Sequence, residues 1–314
     1  YQHLIKHHNI EVFSANFSLY GDISARLMKL ISNEVPKVEV YSIDEAFMDL
    51  TGLPFPEKTA FKIRQQVFQN LGLPTCIGLA PTKTLAKVAN HLAKKNLDYQ
   101  GICFLKESNS IQDALRYLPV EEIWGVGRQL SARLREKGII TGYDLQQVDF
   151  KWMRQHFTVV GERLVQELNG ISCLALDQHP DSKKSIQVSR SFAKNVTSFE
   201  ELRTNIAIYA TRLGEKLREQ NLKATTLIIY IKTNRFKENY YKGSQIINLP
   251  QAINDDANLI KACGSALTQI FKSQLAYKKA GVMALDLISE SQHQYSLFSN
   301  DKIASPKTAQ LLCS

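Results

Sequence analysis

The chain has 314 residues, 39 Lys and Arg against 30 Asp and Glu, a formal net charge of +9, and hydrophobic and charged fractions of 44% and 22%. These fractions are those of a folded protein and exclude disorder as the dominant state. No apolar run reaches the roughly 18 residues that a membrane helix needs, and Tyr1-Gln2-His3-Leu4 does not open a signal peptide. At roughly 100–200 residues per domain, two or three domains are expected.

The charge is unevenly placed. Residues 1–182 hold 20 basic and 20 acidic side chains, residues 183–283 hold 17 and 7, and residues 284–314 hold 2 and 3. The excess therefore sits in one domain-sized stretch, which is either a solvated surface or a face for a polyanion. The five cysteines (Cys76, Cys103, Cys173, Cys263, Cys313) are odd in number and lack C-x-x-C spacing. That argues against a zinc or disulfide framework and makes a reducing cytoplasm the default.

In chain order, residues 38–50 read as two short strands around the acidic pair Asp44-Glu45. Residues 59–70 read as a helix, 75–80 as a buried strand, 81–95 as a second helix opened by Pro81-Thr82, and 102–105 as another strand. This mixture predicts helices packed on a sheet. From 109 to 170 the pattern is helical, with turns at Gly125, Gly127, Gly138 and Gly170, and 171–185 reads as a linker. A strand at 186–192 follows, then a helix opened by a capping box at Ser198-Phe199-Glu200-Glu201. Strands at 225–233 and 240–249, a helix at 255–271 and a strand at 280–287 complete a β-α-β-β-α-β order, the ferredoxin-like split motif. Beyond Ser289 the chain is a polar tail with one aromatic cluster.

Four groups of residues can carry chemistry. Neighbouring residues on a strand face opposite ways, so Asp44 and Glu45 share a metal only at a turn or bulge, and the same pair is otherwise a solvated turn. Lys83 and Lys87 lie on one face of their helix, either presented to phosphate groups or forming an exposed flank. Leu118-Pro119-Val120 with Trp124-Gly125-Val126-Gly127-Arg128, followed by Arg133 and Arg135, describes a helix-hairpin-helix that holds a DNA backbone, or else a tight turn. In the basic stretch, Arg190 lies on the first strand. On the second, Thr226, Ile228, Tyr230 and Lys232 share one face, and Leu227, Ile229 and Ile231 the other. In the tail, Gln294-Tyr295-Ser296-Leu297-Phe298 either anchors in a partner's pocket or packs back on its own domain.

Together these residues resemble the Y-family translesion DNA polymerases, and within them the UmuC type, along nearly the whole chain. The carriers are Tyr41-Ser42-Ile43-Asp44-Glu45-Ala46-Phe47, Gly78-Leu79-Ala80-Pro81-Thr82-Lys83-Thr84-Leu85-Ala86-Lys87, Trp124-Gly125-Val126-Gly127 and Ser189-Arg190-Ser191-Phe192. The resemblance implies an α+β multidomain chain. Its parts are a partial polymerase palm (1–107), a helix-hairpin-helix thumb (108–172), a linker (173–185), a ferredoxin-like little finger that binds DNA (186–288) and a tail (289–314). It implies that Asp44 and Glu45 hold Mg²⁺ of a two-metal site, with Glu45 near the primer terminus, and that Lys87 contacts the triphosphate of an incoming dNTP. Gly125, Gly127, Arg128, Arg190 and Lys232 are implied DNA contacts, and Gln294, Leu297 and Phe298 a sliding-clamp motif. The implied partners are damaged primer–template DNA, the clamp, a UmuD′-like accessory subunit and a recombinase filament in the SOS response. The family pattern also has an earlier strand with another metal-binding Asp, and then the fingers. Here Val12-Phe13-Ser14-Ala15-Asn16-Phe17-Ser18-Leu19-Tyr20 matches the segment after the fingers, so an incomplete metal site, inactive alone, is expected. A non-catalytic DNA- and clamp-binding fragment is the alternative.

Overall fold

The computed structural model describes residues 2–13, 15–177 and 183–292. The chain divides into two units, Tyr1–Pro180 and Asp181–Ser314. The tail residues Gln294, Leu297 and Phe298, and part of the predicted linker, lie outside the described residues. Among the described residues no helix is long and apolar enough to cross a membrane.

The first unit opens with α1 (Gln2–His7) and α2 (Phe17–Glu34). Asn16 caps α2, its Oδ1 accepting from Leu19 N at 3.1 Å, and the helix buries Leu27, Met28 and Ile31. Next come β1 (Val38–Val40) and β2 (Ala46–Met48), an antiparallel pair, then α3 (Pro56–Leu71), which has Pro at its start and left-handed Gly72 at its end. Strands β3 (Ile77–Leu79) and β4 (Ile102–Phe104) run parallel and are joined through α4 (Lys83–Lys95). The predicted single sheet is thus corrected to two separate two-stranded ladders. Each strand is only three residues long, too short for alternation to tell which strands share a sheet.

The helical part has α5 (Ser108–Arg116), α6 (Arg128–Glu136), α7 (Gly142–Gln146) and α8 (Phe150–Leu168). A reciprocal capping box, absent from the sequence reading, opens α7: Thr141 Oγ1 accepts from Asp144 N and the Asp144 carboxylate accepts from Thr141 N. Helix α8 breaks at Phe157-Thr158, where Thr158 has φ 66° and ψ −175°. A threonine in that region costs about 1–3 kcal/mol.

Two cores hold this unit. One joins α2, α3 and β3 through Leu27, Ile31, Ile63, Val67, Ile77 and Leu79. The other joins Leu85, Val88 and Ala89 of α4 to Leu115, Leu134, Leu145, Met153 and Leu168 of the later helices. Helix α4 meets β3 at Gly78, where an added Cβ would lie 2.2 Å from Asn90 N and 2.3 Å from Ala86 O. Only hydrogen fits between these backbones.

The second unit comprises β5 (Ser185–Val196), α9 (Phe199–Arg218), β6 (Leu222–Thr233), β7 (Lys242–Ile253), α10 (Asp256–Ile270) and β8 (Tyr277–Ser289). The element order is as predicted. Ser198 caps α9, accepting from Glu201 N at 3.4 Å, which is one half of the expected box. The strands form one antiparallel sheet in the order β5-β8-β6-β7. That corrects the ferredoxin-like expectation: the second and fourth strands are central here, whereas the ferredoxin-like order centres the first and third. Both orders use the same elements, so sequence periodicity does not separate them. Pro250 fits within β7 because β7 is an edge strand.

Gly78→Ala should cost about 3 kcal/mol or more, since neither backbone can retreat without unpacking α4. Gly125→Ala, with open space around it but φ 91°, should cost about 1–2 kcal/mol. Urea titrations of the two variants check this, and equal losses would contradict the backbone contact.

Candidate active site and nucleic-acid interface

Between β1 and β2 the chain turns through residues 41–45, so Asp44 and Glu45 lie in a loop and not on a strand. Glu45 O accepts from Tyr41 N and Ser42 N, both at 3.0 Å, which closes the loop. Asp44 is exposed, and its Oδ1 accepts from Ser42 Oγ at 2.6 Å. Glu45 is half-buried and pairs with Lys87 of α4, Nζ to Oε1 2.6 Å. The two most specific motifs of the sequence therefore meet, with the acidic loop over the lysine face of α4.

Lys83, one turn earlier, pairs with Glu39 and donates to the Ala175 carbonyl at 2.7 Å. Two amides in the N-terminal turn of α4 are themselves engaged. Thr82 Oγ1 accepts from Leu85 N, and Glu167 Oε2 accepts from Thr84 N at 3.0 Å. An anion reaching α4 consequently meets the lysine side chains, with the Thr84 and Leu85 amides already engaged. Asp44, Glu45, Lys83 and Lys87 line one open cleft of 1420 Å³. Among the described residues, no group of three His, Cys, Asp or Glu converges as a metal site.

The glycine hairpin begins in a single 3-10 turn, Val120–Glu122, and ends at Gly127, the N-cap of α6. Gly125 takes φ 91°, as a tight turn requires, while Gly127 has φ −80° and open space around it. No side chain caps α6, and Arg128 at its start is exposed and makes no ion pair among the described residues. Two of the predicted basic residues are engaged elsewhere. Arg135 forks onto both Glu121 oxygens at 2.7 Å, which holds that carboxyl below its usual range, and Arg133 donates to the His156 carbonyl and covers the Phe157 ring.

Trp124 connects this hairpin to the acidic loop. Its Nε1 donates to Tyr41 Oη at 2.9 Å, and its ring packs against Tyr41 and Phe47 at 5.6 and 5.5 Å. The sequence reading missed this joint, as it missed the Glu39–Lys83 pair. Partners 83 and 44 residues apart carry no periodic signal.

In the second unit, Leu227, Ile229 and Ile231 are fully buried under the helices, as the alternation predicts. Lys232 lies on the other face, directly between Lys279 of β8 and Lys242 of β7. Neighbouring strands are about 4.8 Å apart, so three lysines form a row across the sheet. None of the three makes an ion pair among the described residues. Beside the row, Lys232 Nζ sits 4.8 Å from the Tyr230 ring, and Tyr230 Oη accepts from Gln187 Nε2 at 2.6 Å. The ring lies over Gly281, where a Cβ would come within 2.7 Å of it. Arg190 is exposed on the opposite face, in phase with buried Ile186 and Val188, so Arg190 and Lys232 do not share a surface.

Comparison with known proteins places the chain in a family. Residues 2–91 match the impB/mucB/samB family model and residues 183–297 the model of that family's C-terminal domain. The chain is 40% identical over 295 residues to Protein UmuC of Salmonella typhimurium, covering 92% of this chain and 70% of that one. It is 36% identical over 310 residues to Protein ImpB of Salmonella typhimurium (96% and 73%), and 28% identical over 293 residues to DNA polymerase IV of Clostridium acetobutylicum (92% and 72%). A solved Y-family DNA polymerase chimera superposes with a TM-score of 0.67 at 21% identity, covering 87% of this chain and 78% of that one. The fold is that of a Y-family DNA polymerase. The chain belongs to the impB/mucB/samB family, the UmuC type, and by family is a DNA-directed DNA polymerase of translesion synthesis.

Trp124→Ala should destabilise the first unit by about 3 kcal/mol through loss of the ring packing. Trp124→Phe, which keeps most of the packing but loses the bond to Tyr41, should cost about 1 kcal/mol. Two-step urea unfolding followed by tryptophan-independent circular dichroism checks this. Loss of stability in the second unit would contradict it.

Proposed function

We propose that the first unit holds a dNTP beside Asp44 and Glu45 while the second grips primer–template DNA, as parts of a translesion polymerase. The contact between Lys87 and Glu45 carries this reading, because it sets a cation for phosphate next to a carboxylate for a metal. The all-oxygen pair of Asp44 and Glu45 fits Mg²⁺, which is commonly held by one or two carboxylates plus substrate phosphates. Mg²⁺ there would neutralise charge on the reacting phosphates. In the reaction, the primer 3′-oxygen bonds to the α-phosphorus of the dNTP as the bond to the β,γ-pyrophosphate breaks, and the hydroxyl proton leaves to a base. Lys83 and Lys87 would orient the triphosphate, each exchanging a carboxylate partner for a phosphate oxygen.

The lysine row supports a backbone-gripping role for the second unit. Three unpaired like charges a strand spacing apart repel, and a polyanion relieves that repulsion without reading sequence. Gly125, Gly127 and Arg128 offer a second backbone contact at the uncapped start of α6. For Arg190 the support is only its exposure, since it faces away from the row. Gln294, Leu297 and Phe298 remain the proposed sliding-clamp anchor, and a UmuD′-like subunit and a recombinase filament the further partners.

Replacing Lys232, Lys242 and Lys279 together by Ala should lower the slope of log affinity against log salt for duplex DNA by about 2–3. Fluorescence anisotropy from low to high KCl measures it, and an unchanged slope would remove the row from the interface. The purified chain with Mg²⁺ and all four dNTPs should bind primer–template yet give no extension product, because among the described residues no third metal-ligating side chain joins Asp44 and Glu45. Robust extension would show the site to be sufficient as it stands.

A further inference from the structure

Glu167, on the last turn of α8, is fully buried, yet its carboxylate meets no cation among the described residues. Burying a carboxylate is costly unless its oxygens are satisfied. Backbone amides satisfy them here. Oε2 accepts from Thr84 N at 3.0 Å, and Oε1 accepts from Cys173 N at 2.7 Å and Leu174 N at 3.3 Å. The main-chain carbonyl of Glu167 accepts from Thr82 Oγ1 at 2.8 Å. One residue thus fixes the first turn of α4, with whose N-terminal dipole its charge is matched, and the strap that follows α8.

The strap returns to the same lysine. Ala175 O accepts from Lys83 Nζ, and Asp177 N donates to Glu39 Oε2 at 2.7 Å, the carboxylate that also pairs with Lys83. The contacts form a closed ring: Glu167 to Thr84, along α4 to Lys83, across to Ala175, and back through Leu174 to Glu167. Lys87 stands one turn beyond Lys83 on the same face. We infer that Glu167 is a positioning residue, which sets the height of Lys83 and Lys87 over the cleft and thereby its affinity for a nucleoside triphosphate.

This inference rests on the proposed nucleotide site, and one set of measurements separates the two. Binding of dGTP with Mg²⁺ to the full chain would be measured by calorimetry for wild type, K83A, K87A, E167A, E167Q and the E167A/K83A pair, with duplex-DNA affinity and circular dichroism as controls. E167A should weaken dGTP binding about tenfold while DNA affinity holds, and should cost less than about twofold further in the K83A background. E167Q keeps one acceptor oxygen and should fall between wild type and E167A, so it serves where E167A does not fold. Full additivity of E167A and K83A, or dGTP affinity unchanged in folded E167Q and E167A, would overturn the positioning role and leave Glu167 a cap alone. Unchanged binding in both K83A and K87A would instead overturn the nucleotide site itself.

Discussion

The first unit depends on one contact, the bare approach of α4 to β3 at Gly78. With hydrogen in place of a side chain, the helix lies directly on the strand, so its buried face reaches one core while the strand serves the other. The position of α4 is then set by backbone and not by adaptable side chains. Its outer face can only point at the loop of Asp44 and Glu45, which β1 and β2 deliver. Thr82 as N-cap, the buried Leu85 and Val88, and the outward Lys83 and Lys87 are consequences of that single placement.

Charge is handled differently in the two units. In the first, two cleft lysines are matched to carboxylates, Lys83 to Glu39 and Lys87 to Glu45, and residues 1–182 as a whole are neutral by count. In the second, the three lysines of the row stand on adjacent strands without anionic partners among the described residues. Paired charges stabilise a fold in the absence of ligand, whereas an unpaired row mildly opposes folding and favours a polyanion. The net +9 thus divides into a site whose charges exchange partners and a surface whose charges wait for one.

What was legible in the sequence was local. The acidic loop, the helix after Pro81-Thr82, the left-handed turn at Gly125 and all six elements of the second unit follow from runs of residues within one window. The register that sets Lys242 and Lys279 beside Lys232 was not legible, because strand order is decided by packing between segments tens of residues apart. The same limit hid the second-and-fourth-strand centre of the sheet and left α2 unread. The break at Thr158 has no local signal either, since threonine is a poor choice for its conformation and only the surrounding helices hold it there.

The partly filled N-terminus of α4 constrains how the cleft can recognise phosphate on the proposed reading. A free helix start would bind an anion through fixed amides and keep it whatever the neighbouring carboxylates do. Here Glu167 and Thr82 hold the Thr84 and Leu85 amides, so recognition falls chiefly to ammonium groups, of which those of Lys83 and Lys87 are already paired. A triphosphate that takes Lys87 from Glu45 leaves that carboxylate free for a divalent cation. Nucleotide and metal would therefore enter as one exchange, the cation offsetting part of the triphosphate's charge. Either one alone would leave a half-buried charge uncompensated, which makes the two bindings mutually supportive.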